Sequence, residues 1–383
     1  MSVVSPPARP TVRTRAARRD VLAALPAWLA ARGVVLASWL AARVFAARYA
    51  KVPEPVGRHL RQGLLGWDAE RYAQIAVHGY AELPTKELRF FPLFPLAARY
   101  LDVIVPGTVG RVLLLVANVS ALALGAAVHR LALVETGDRA LARRAAWYAA
   151  FTPAGFVLVW GYSEALWGLL VVGAVAAARR GRWRVVAPLA LLVGLVRPVG
   201  LLVSVPLGVE AVRALRRRPR RLPAVAASLA AAPAGAVAYL IWVQERFHTS
   251  FLLPFRIQES KKFRGPVSGP FTSLGPGVRA LLDGRIGIDA VRVGWVVLLV
   301  VLVVHSVRRW PAAYSVLAVA TAVVALATTR LGSFERYTFM ALPFTFALAG
   351  VTRRRAVHLA TLTTMAVAMG VYGTLALVGP YTP

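Results

Sequence analysis

Asp68 stands in the run Trp67-Asp68-Ala69-Glu70-Arg71-Tyr72-Ala73-Gln74-Ile75-Ala76-Val77-His78-Gly79-Tyr80. At helical spacing Asp68, Tyr72, Ile75 and Gly79 share one face, while Glu70 and Gln74 turn away. The pattern predicts a short helix lying along a membrane interface. Asp68 sits at its N-terminal end, and Trp67 and Tyr80 serve as aromatic anchors. A carboxylate there has two readings. As an N-cap it accepts a hydrogen bond from its own helix. As a general base beside aromatics it is partly desolvated, which raises its pKa and makes it a better base. Arg89-Phe90-Phe91-Pro92-Leu93-Phe94-Pro95 follows. Its two prolines exclude a regular helix interior and predict a fixed apolar turn dipping into the interface.

Further polar groups lie later in the chain. Arg197-Pro198 interrupts an apolar run, and a buried Arg at such a break needs a partner; alternatively Arg197 sits at an interface. Glu164, after Tyr162-Ser163, either orients a substrate hydroxyl or pairs with an Arg, or belongs to a capped span end. Gln258 and Glu259 fall in the amphipathic stretch 251–263, which packs on a ligand or lies on the bilayer. His59, His78, His129, His248, His305 and His358 are scattered, and no His/carboxylate cluster has metal-ligand spacing. Without Cys there is no disulfide framework, thiolate zinc site or Cys nucleophile.

The elements that must position these groups follow from composition. The chain has 383 residues, 58% apolar, with a formal net charge of +30. Such apolarity excludes disorder and is unlike nucleic-acid-binding proteins. A polytopic membrane protein accommodates both figures, with apolar helices in lipid and Arg in the loops. Residues 1–20 read as a disordered, basic cytoplasmic tail. The run 21–47 follows a positive start but lacks a small-residue cleavage site, so it reads as a retained first span rather than a signal peptide. Further runs fall at about 109–134, 145–160, 163–178, 185–212, 223–245, 288–306, 311–329, 336–351 and 356–378. The expectation is an all-α fold of about 10–11 membrane segments, forming one domain over 21–383.

The short basic loops at 139–144, 179–184, 213–221, 308–309 and 353–355 belong in the cytoplasm by the positive-inside rule. The segment 185–212 has basic clusters at both ends. This predicts a broken hairpin: a half-helix to residue 196, a break at Arg197-Pro198, and a return over 199–212. Segments 48–108, 246–287 and 330–336 then face outward. The divided charge argues against nucleic acid; clusters of this kind bind anionic headgroups. No internal repeat marks a transporter.

Trp67-Asp68-Ala69, Ile75-Ala76, Gly79-Tyr80 and Phe90-Phe91-Pro92-Leu93-Phe94-Pro95 together resemble the PIG-V-like family of mannosyltransferases. Its eukaryotic representative is GPI mannosyltransferase II, and it has bacterial relatives. Tyr162-Ser163-Glu164, Arg197-Pro198-x-Gly200 and Ser333-x-x-Arg336-Tyr337 before Pro343 fit in the same order, over about 30–350. Arg71 stands where the eukaryotic pattern more often has His, and Arg89 where a small residue usually precedes Phe-Phe-Pro. These departures suggest an anionic acceptor.

The resemblance implies a GT-C glycosyltransferase of the cell membrane, working on its extracytoplasmic side. It would move a sugar from a polyprenyl-phosphate donor to a lipid-linked or cell-envelope acceptor by inverting single displacement. Asp68 would be the base. Arg336, Arg197, Arg256 and Lys261 would hold the departing phosphate, since its charge grows as the bond breaks. Trp67, Arg71, Tyr72, Arg89, Tyr162, Glu164, Gln258 and Tyr337 would contact substrate or acceptor. The scheme needs neither metal nor cofactor, and a small membrane partner stays open. The competing classes are a transporter or flippase, with Arg32, Arg43, Glu164 and Arg197 along a path, and a non-catalytic scaffold of the same fold.

Overall fold

The computed structural model describes residues 12–48, 56–259, 266–269, 272–285, 287–329, 331–378 and 381–383. These are organised by helices. In the first half they are α1 (Val12–Arg48), α2 (Val56–Gln62), α3 (Asp68–His78), α4 (Leu93–Leu101), α5 (Val109–Thr136), α6 (Arg139–Ala150), α7 (Glu164–Arg179), α8 (Trp183–Val196) and α9 (Ser204–Arg217). The second half adds α10 (Leu222–Phe247), α11 (Leu253–Gln258), α12 (Gly275–Leu282), α13 (Ile288–Arg309), α14 (Ala312–Leu326), α15 (Phe334–Thr338), α16 (Leu342–Val351) and α17 (Arg355–Val378). Among the described residues the β-structure is one isolated bridge, Val267 to Thr328.

Among the described residues, six helical stretches are long and apolar enough to cross a membrane: Arg15–Arg48, Val109–Thr136, Pro198–Arg217, Pro219–Phe247, Ile288–Arg309 and Arg355–Val378. Shorter apolar helices, α8, α14 and α16, fill the spaces between them. The fold is therefore an all-α, multi-pass membrane protein, as the composition requires.

Three expected segments differ. Helix α1 starts at Val12, so residues 12–20 are helical rather than disordered; the rest of the predicted tail lies outside the described residues. Asp20 is buried and its Oδ1 lies 2.8 Å from Nδ1 of His129 on α5, which ties this end of α1 to the bundle. The run 145–160 is not one span. Helix α6 stops at Ala150, and the buried stretch before Tyr162 turns through a short 3₁₀ segment, Gly155–Leu158. Pro153 has no amide hydrogen to continue the ladder. Likewise 336–351 divides into α15 and α16, with Pro343 in the first turn of α16, where a missing N–H costs nothing.

The broken hairpin is present. Helix α8 ends at Val196, Arg197 is extended (φ −157°, ψ 150°), and Pro198 opens a 3₁₀ turn leading into α9. Both basic ends of this unit return to one place, because Arg221 donates to the Gly181 carbonyl at 3.2 Å. Arg179 meets Glu210 and Glu135 there, and Arg144 donates to the Ala349 carbonyl at 3.0 Å. Tyr148 joins Thr352 and His358. The basic loops around 139–144, 179–184, 213–221 and 353–355 thus share one end of the bundle, as the charge pattern predicts.

Helix α8 lies against α10 at backbone distance. A Cβ on Gly194 would fall 2.1 Å from the Ala232 carbonyl oxygen, and one on Gly235 would fall 2.3 Å from that of Leu191. Small residues permit this approach in apolar surroundings. Within the bundle, Arg32 gives Nε and Nη2 to Oδ1 of Asn118 at 3.0 and 2.6 Å and stacks on Trp28. That pairing accommodates a guanidinium inside a span and leaves Arg32 committed to Asn118.

Candidate active site

Helix α3 follows a 3₁₀ turn, Gly63–Leu65, and is entered through Trp67 at φ 58°. A non-glycine residue in that region is strained by about 1–3 kcal/mol, held only where the surroundings over-determine it. The Trp67 indole donates to the Ala376 carbonyl at 2.7 Å and stacks on His59, which fixes the turn. Asp68 is consequently the first residue of the helix, not its N-cap, and no side chain caps α3. Its amide donates to the Tyr162 hydroxyl at 3.3 Å, and its carboxylate turns to another part of the chain.

That partner is Arg336 on α15. Its Nη1 lies 2.9 Å from Oδ2 of Asp68, and its Nε donates to Oε1 of Glu164. Helix α15 is also entered through a strained residue, Ser333 at φ 54°. Arg197, at the break of the hairpin, reaches the same Glu164 oxygen. Arg89 adds a looser pair, with Nη2 3.7 Å from Oδ1 of Asp68. The Arg336 guanidinium also lies over the rings of Tyr162 and Tyr337, at 4.9 and 5.8 Å from their centroids. The Asp68 side chain is 19% exposed, and those of Arg336, Arg197 and Glu164 are 4%, 9% and 3% exposed. Solvent therefore screens these charges weakly.

Burial pushes the Asp68 carboxyl up, but the guanidiniums of Arg336 and Arg89 outweigh it and hold the group below its ordinary value. The expectation of a raised pKa is corrected: Asp68 sits between cations as well as aromatics. In the free protein it is an ionised carboxylate.

Asp68, Arg89, Arg197, Arg336 and Tyr337 line a cavity of about 450 Å³, together with Tyr72. Val196, Val199, Leu201, Leu202 and Val324 are among its apolar lining, and Phe255, Gln258 and Glu259 of the second predicted outer segment line it as well. Phe90 and Phe91 line it too, but the Phe-Phe-Pro string is no turn dipping into lipid. Phe90, Phe91 and Phe94 are buried, Pro92 caps α4, and Pro95 lies in its first turn. Tyr80 is likewise buried, with its hydroxyl on the Phe90 carbonyl at 2.7 Å, rather than an interfacial anchor.

Of the predicted site residues, Asp68, Tyr72, Arg89, Arg197, Gln258, Arg336 and Tyr337 meet at the cavity. Tyr162 and Glu164 lie immediately behind it, fully buried. Three fall elsewhere. Arg256 is exposed on α11 and is not among the residues that line the cavity, so it does not hold a phosphate there in this arrangement. Arg71 pairs with Gln74 at 3.2 Å and with buried Glu87 at 3.4 Å, and braces the first loop. Trp67 holds the turn. Lys261 lies outside the described residues. Pairing with an Arg was one of the sequence readings of Glu164, and the structure gives it two, Arg197 and Arg336; sequence reasoning missed Glu335, whose neighbour Arg336 carried the motif. Among the described residues no group of three or more His, Asp or Glu is arranged to hold a metal ion.

Comparison with known proteins bears on this arrangement. The family model described as mannosyltransferase (PIG-V) matches residues 37–212. That stretch contains Trp67-Asp68, the Phe-Phe-Pro string, Glu164 and Arg197, so the resemblance read from those motifs stands. The chain is similar to GPI alpha-1,6-mannosyltransferase 2 of Mus musculus, 34% identical over 143 residues, which is 34% of this chain and 29% of that protein. The same protein of Cricetulus griseus is 37% identical over 136 residues, 32% of this chain and 27% of that one. The matched part thus spans less than a third of either relative. Among solved structures, the Archaeoglobus fulgidus oligosaccharyltransferase aligns with a TM-score of 0.42 at 14% identity, covering 77% of this chain and 45% of its own.

Proposed function

We propose, from the mannosyltransferase (PIG-V) match over residues 37–212, that this chain is a GT-C membrane mannosyltransferase. It takes a sugar from a polyprenyl-phosphate donor and gives it to a lipid-linked or cell-envelope hydroxyl on the extracytoplasmic side. One observation carries the reading: a carboxylate and three guanidiniums line one cavity together with many apolar side chains. The apolar lining suits a prenyl chain and the guanidiniums suit its phosphate.

Each group then has a task. The acceptor hydroxyl gives its proton to Asp68 as its oxygen bonds to the anomeric carbon. The bond from that carbon to the phosphate oxygen breaks on the opposite face, through an oxocarbenium-like state, and the electron pair leaves with the phosphate. Arg336 and Arg197 stabilise the charge growing there, with Arg89 nearby. A single displacement inverts the anomeric centre. Glu164 does not line the cavity and is better placed to hold the two arginines than to bind sugar. Asp68, paired with Arg336 in the free protein, becomes more basic when a phosphate engages that arginine.

The test is transfer from defined polyprenyl-phosphate sugars by the purified, reconstituted protein, with products read by lipid and glycan mass spectrometry. Transfer from polyprenyl-phosphate mannose that vanishes in Asp68→Asn is the expected result. Full activity in that variant would remove Asp68 from the role of base. Movement of lipid across the bilayer without sugar transfer would favour a flippase.

A further inference from the structure

Directly beside Arg336 in sequence, and on the side away from the cavity, Glu335 is fully buried. Its carboxylate takes three donors from three separate parts of the chain. Arg292 of α13 approaches Oε1 with Nε at 3.3 Å, and the Tyr372 hydroxyl of α17 donates to the same oxygen at 3.0 Å. The Tyr381 hydroxyl, beyond α17, donates to Oε2 at 3.4 Å. These partners are themselves held. Asp289 accepts from Arg292 at 3.1 Å, and the Trp295 indole donates to Tyr372 at 3.0 Å. At the entry of the same short helix, the Ser333 hydroxyl donates to the Thr382 carbonyl at 3.3 Å.

We infer that Glu335 is a positioning residue: by anchoring α15 to α13, α17 and Tyr381, it sets Arg336 in register with Asp68 and Glu164. The physical reason is the size of the element. Helix α15 spans only Phe334–Thr338 and begins at a residue with positive φ. One turn of helix has almost no stability of its own. Its orientation must come from outside contacts, and besides the pairs of Arg336 itself a buried carboxylate with three donors supplies them. The side chains of residues 335 and 336 leave the helix about 100° apart. Fixing one toward α13 and α17 therefore aims the other at α3 and α7. Glu335 touches no substrate in this arrangement. Its effect on transfer rests on the reading given under Proposed function; its effect on the Asp68–Arg336 contact does not.

The experiment separates the two. Thermal unfolding of the full-length protein in detergent is measured for Asp68→Asn, Arg336→Gln and the double variant, first with Glu335 present and then with Glu335→Gln. With Glu335 present the two losses in Tm are non-additive, because the residues touch. With Glu335→Gln, which leaves an acceptor for one tyrosine, turns an amide NH2 toward the other and removes the charge facing Arg292, the losses become additive. Tyr372→Phe and Tyr381→Phe, each lacking one hydroxyl, repeat the cycle if Glu335→Gln does not fold, and a reduced non-additivity is then expected. Undiminished non-additivity in the backgrounds that fold would overturn the positioning role. If the protein transfers sugar, Glu335→Gln lowers kcat/KM for the donor at least tenfold in the protein carrying Arg336, and has no further effect in Arg336→Gln. A further tenfold loss in the latter would show that Glu335 acts other than through Arg336. Absence of transfer by the unaltered protein bears on the proposed function alone and leaves the unfolding result intact.

Discussion

Arg336 reaches across 268 positions of sequence to place its Nη1 2.9 Å from the carboxylate of Asp68. The contact joins the first helix after Trp67 to a short helix near the other end of the chain. It converts two isolated motif residues into one polar cluster.

The first prediction concerns that carboxylate. Asp68→Asn keeps the shape and Arg336 keeps Glu164, so the fold should survive. Transfer should fall by about 10²–10⁴-fold, the usual contribution of a general base. Reconstituted transfer assays beside a thermal-unfolding curve measure both effects.

The second concerns pH. The folded Asp68 carboxyl titrates below its ordinary value of 3.8. Its contribution to stability is therefore complete above that value and is lost as pH falls through the lower, folded value. The acid limb of kcat/KM for the free protein should likewise lie below 3.8, leaving no Asp68 limb between pH 5 and 8. A limb near pH 6 that disappears in Asp68→Asn would contradict the pairing with Arg336 and Arg89.

The third separates the arginines. Arg197→Ala and Arg336→Ala should each reduce transfer by about 10²–10³-fold, as loss of a charge-stabilising donor does. Arg256→Ala should stay within about threefold, because Arg256 is exposed and does not line the cavity. Parallel kinetics on the three variants decide whether phosphate is held at the hairpin break or on α11.

The fourth is structural. Glu164→Leu leaves two buried guanidiniums without their shared carboxylate and should destabilise the protein by about 3–5 kcal/mol, the cost of breaking a buried pair. Gly194→Ala meets the Ala232 carbonyl and should cost about 1–3 kcal/mol by overpacking. Since α8 ends beside Arg197, the glycine variant should also lower transfer per folded molecule. Unfolding curves and specific activities separate the two effects.

The fifth is topological. The chain has no Cys, so single cysteines report accessibility cleanly. Cysteines at positions 180 and 218 should label from the same side of the membrane, because Arg221 binds the Gly181 carbonyl. A cysteine at exposed Glu82, near α3, should label from the opposite side. Opposite labelling of 180 and 218 would break the hairpin.

Several features were legible in the sequence because they depend on local chemistry and on the solvent. Apolar runs must become helices in lipid. Proline after Arg197 must break one of them, and Arg-rich loops gather at one end of the bundle. Asp68 and the Phe-Phe-Pro string stood out by their residue types and order. Span 145–160 misled because Leu, Val and Ala runs look alike whether they cross a bilayer or fill a protein core, and Pro153 was the only local sign of a break.

The contacts among distant side chains were decided by tertiary structure alone. Periodicity predicted which face of α3 Asp68 occupies, but not that Arg336 would meet it there and lower its pKa. Glu164 and Arg256 were equally plausible ligands by residue type. Packing turned Glu164 inward to two guanidiniums and left Arg256 outside. Hydropathy and motif order report how a segment meets lipid or its near neighbours. Charge pairing between segments depends on the distances that folding sets, and those are absent from any local pattern.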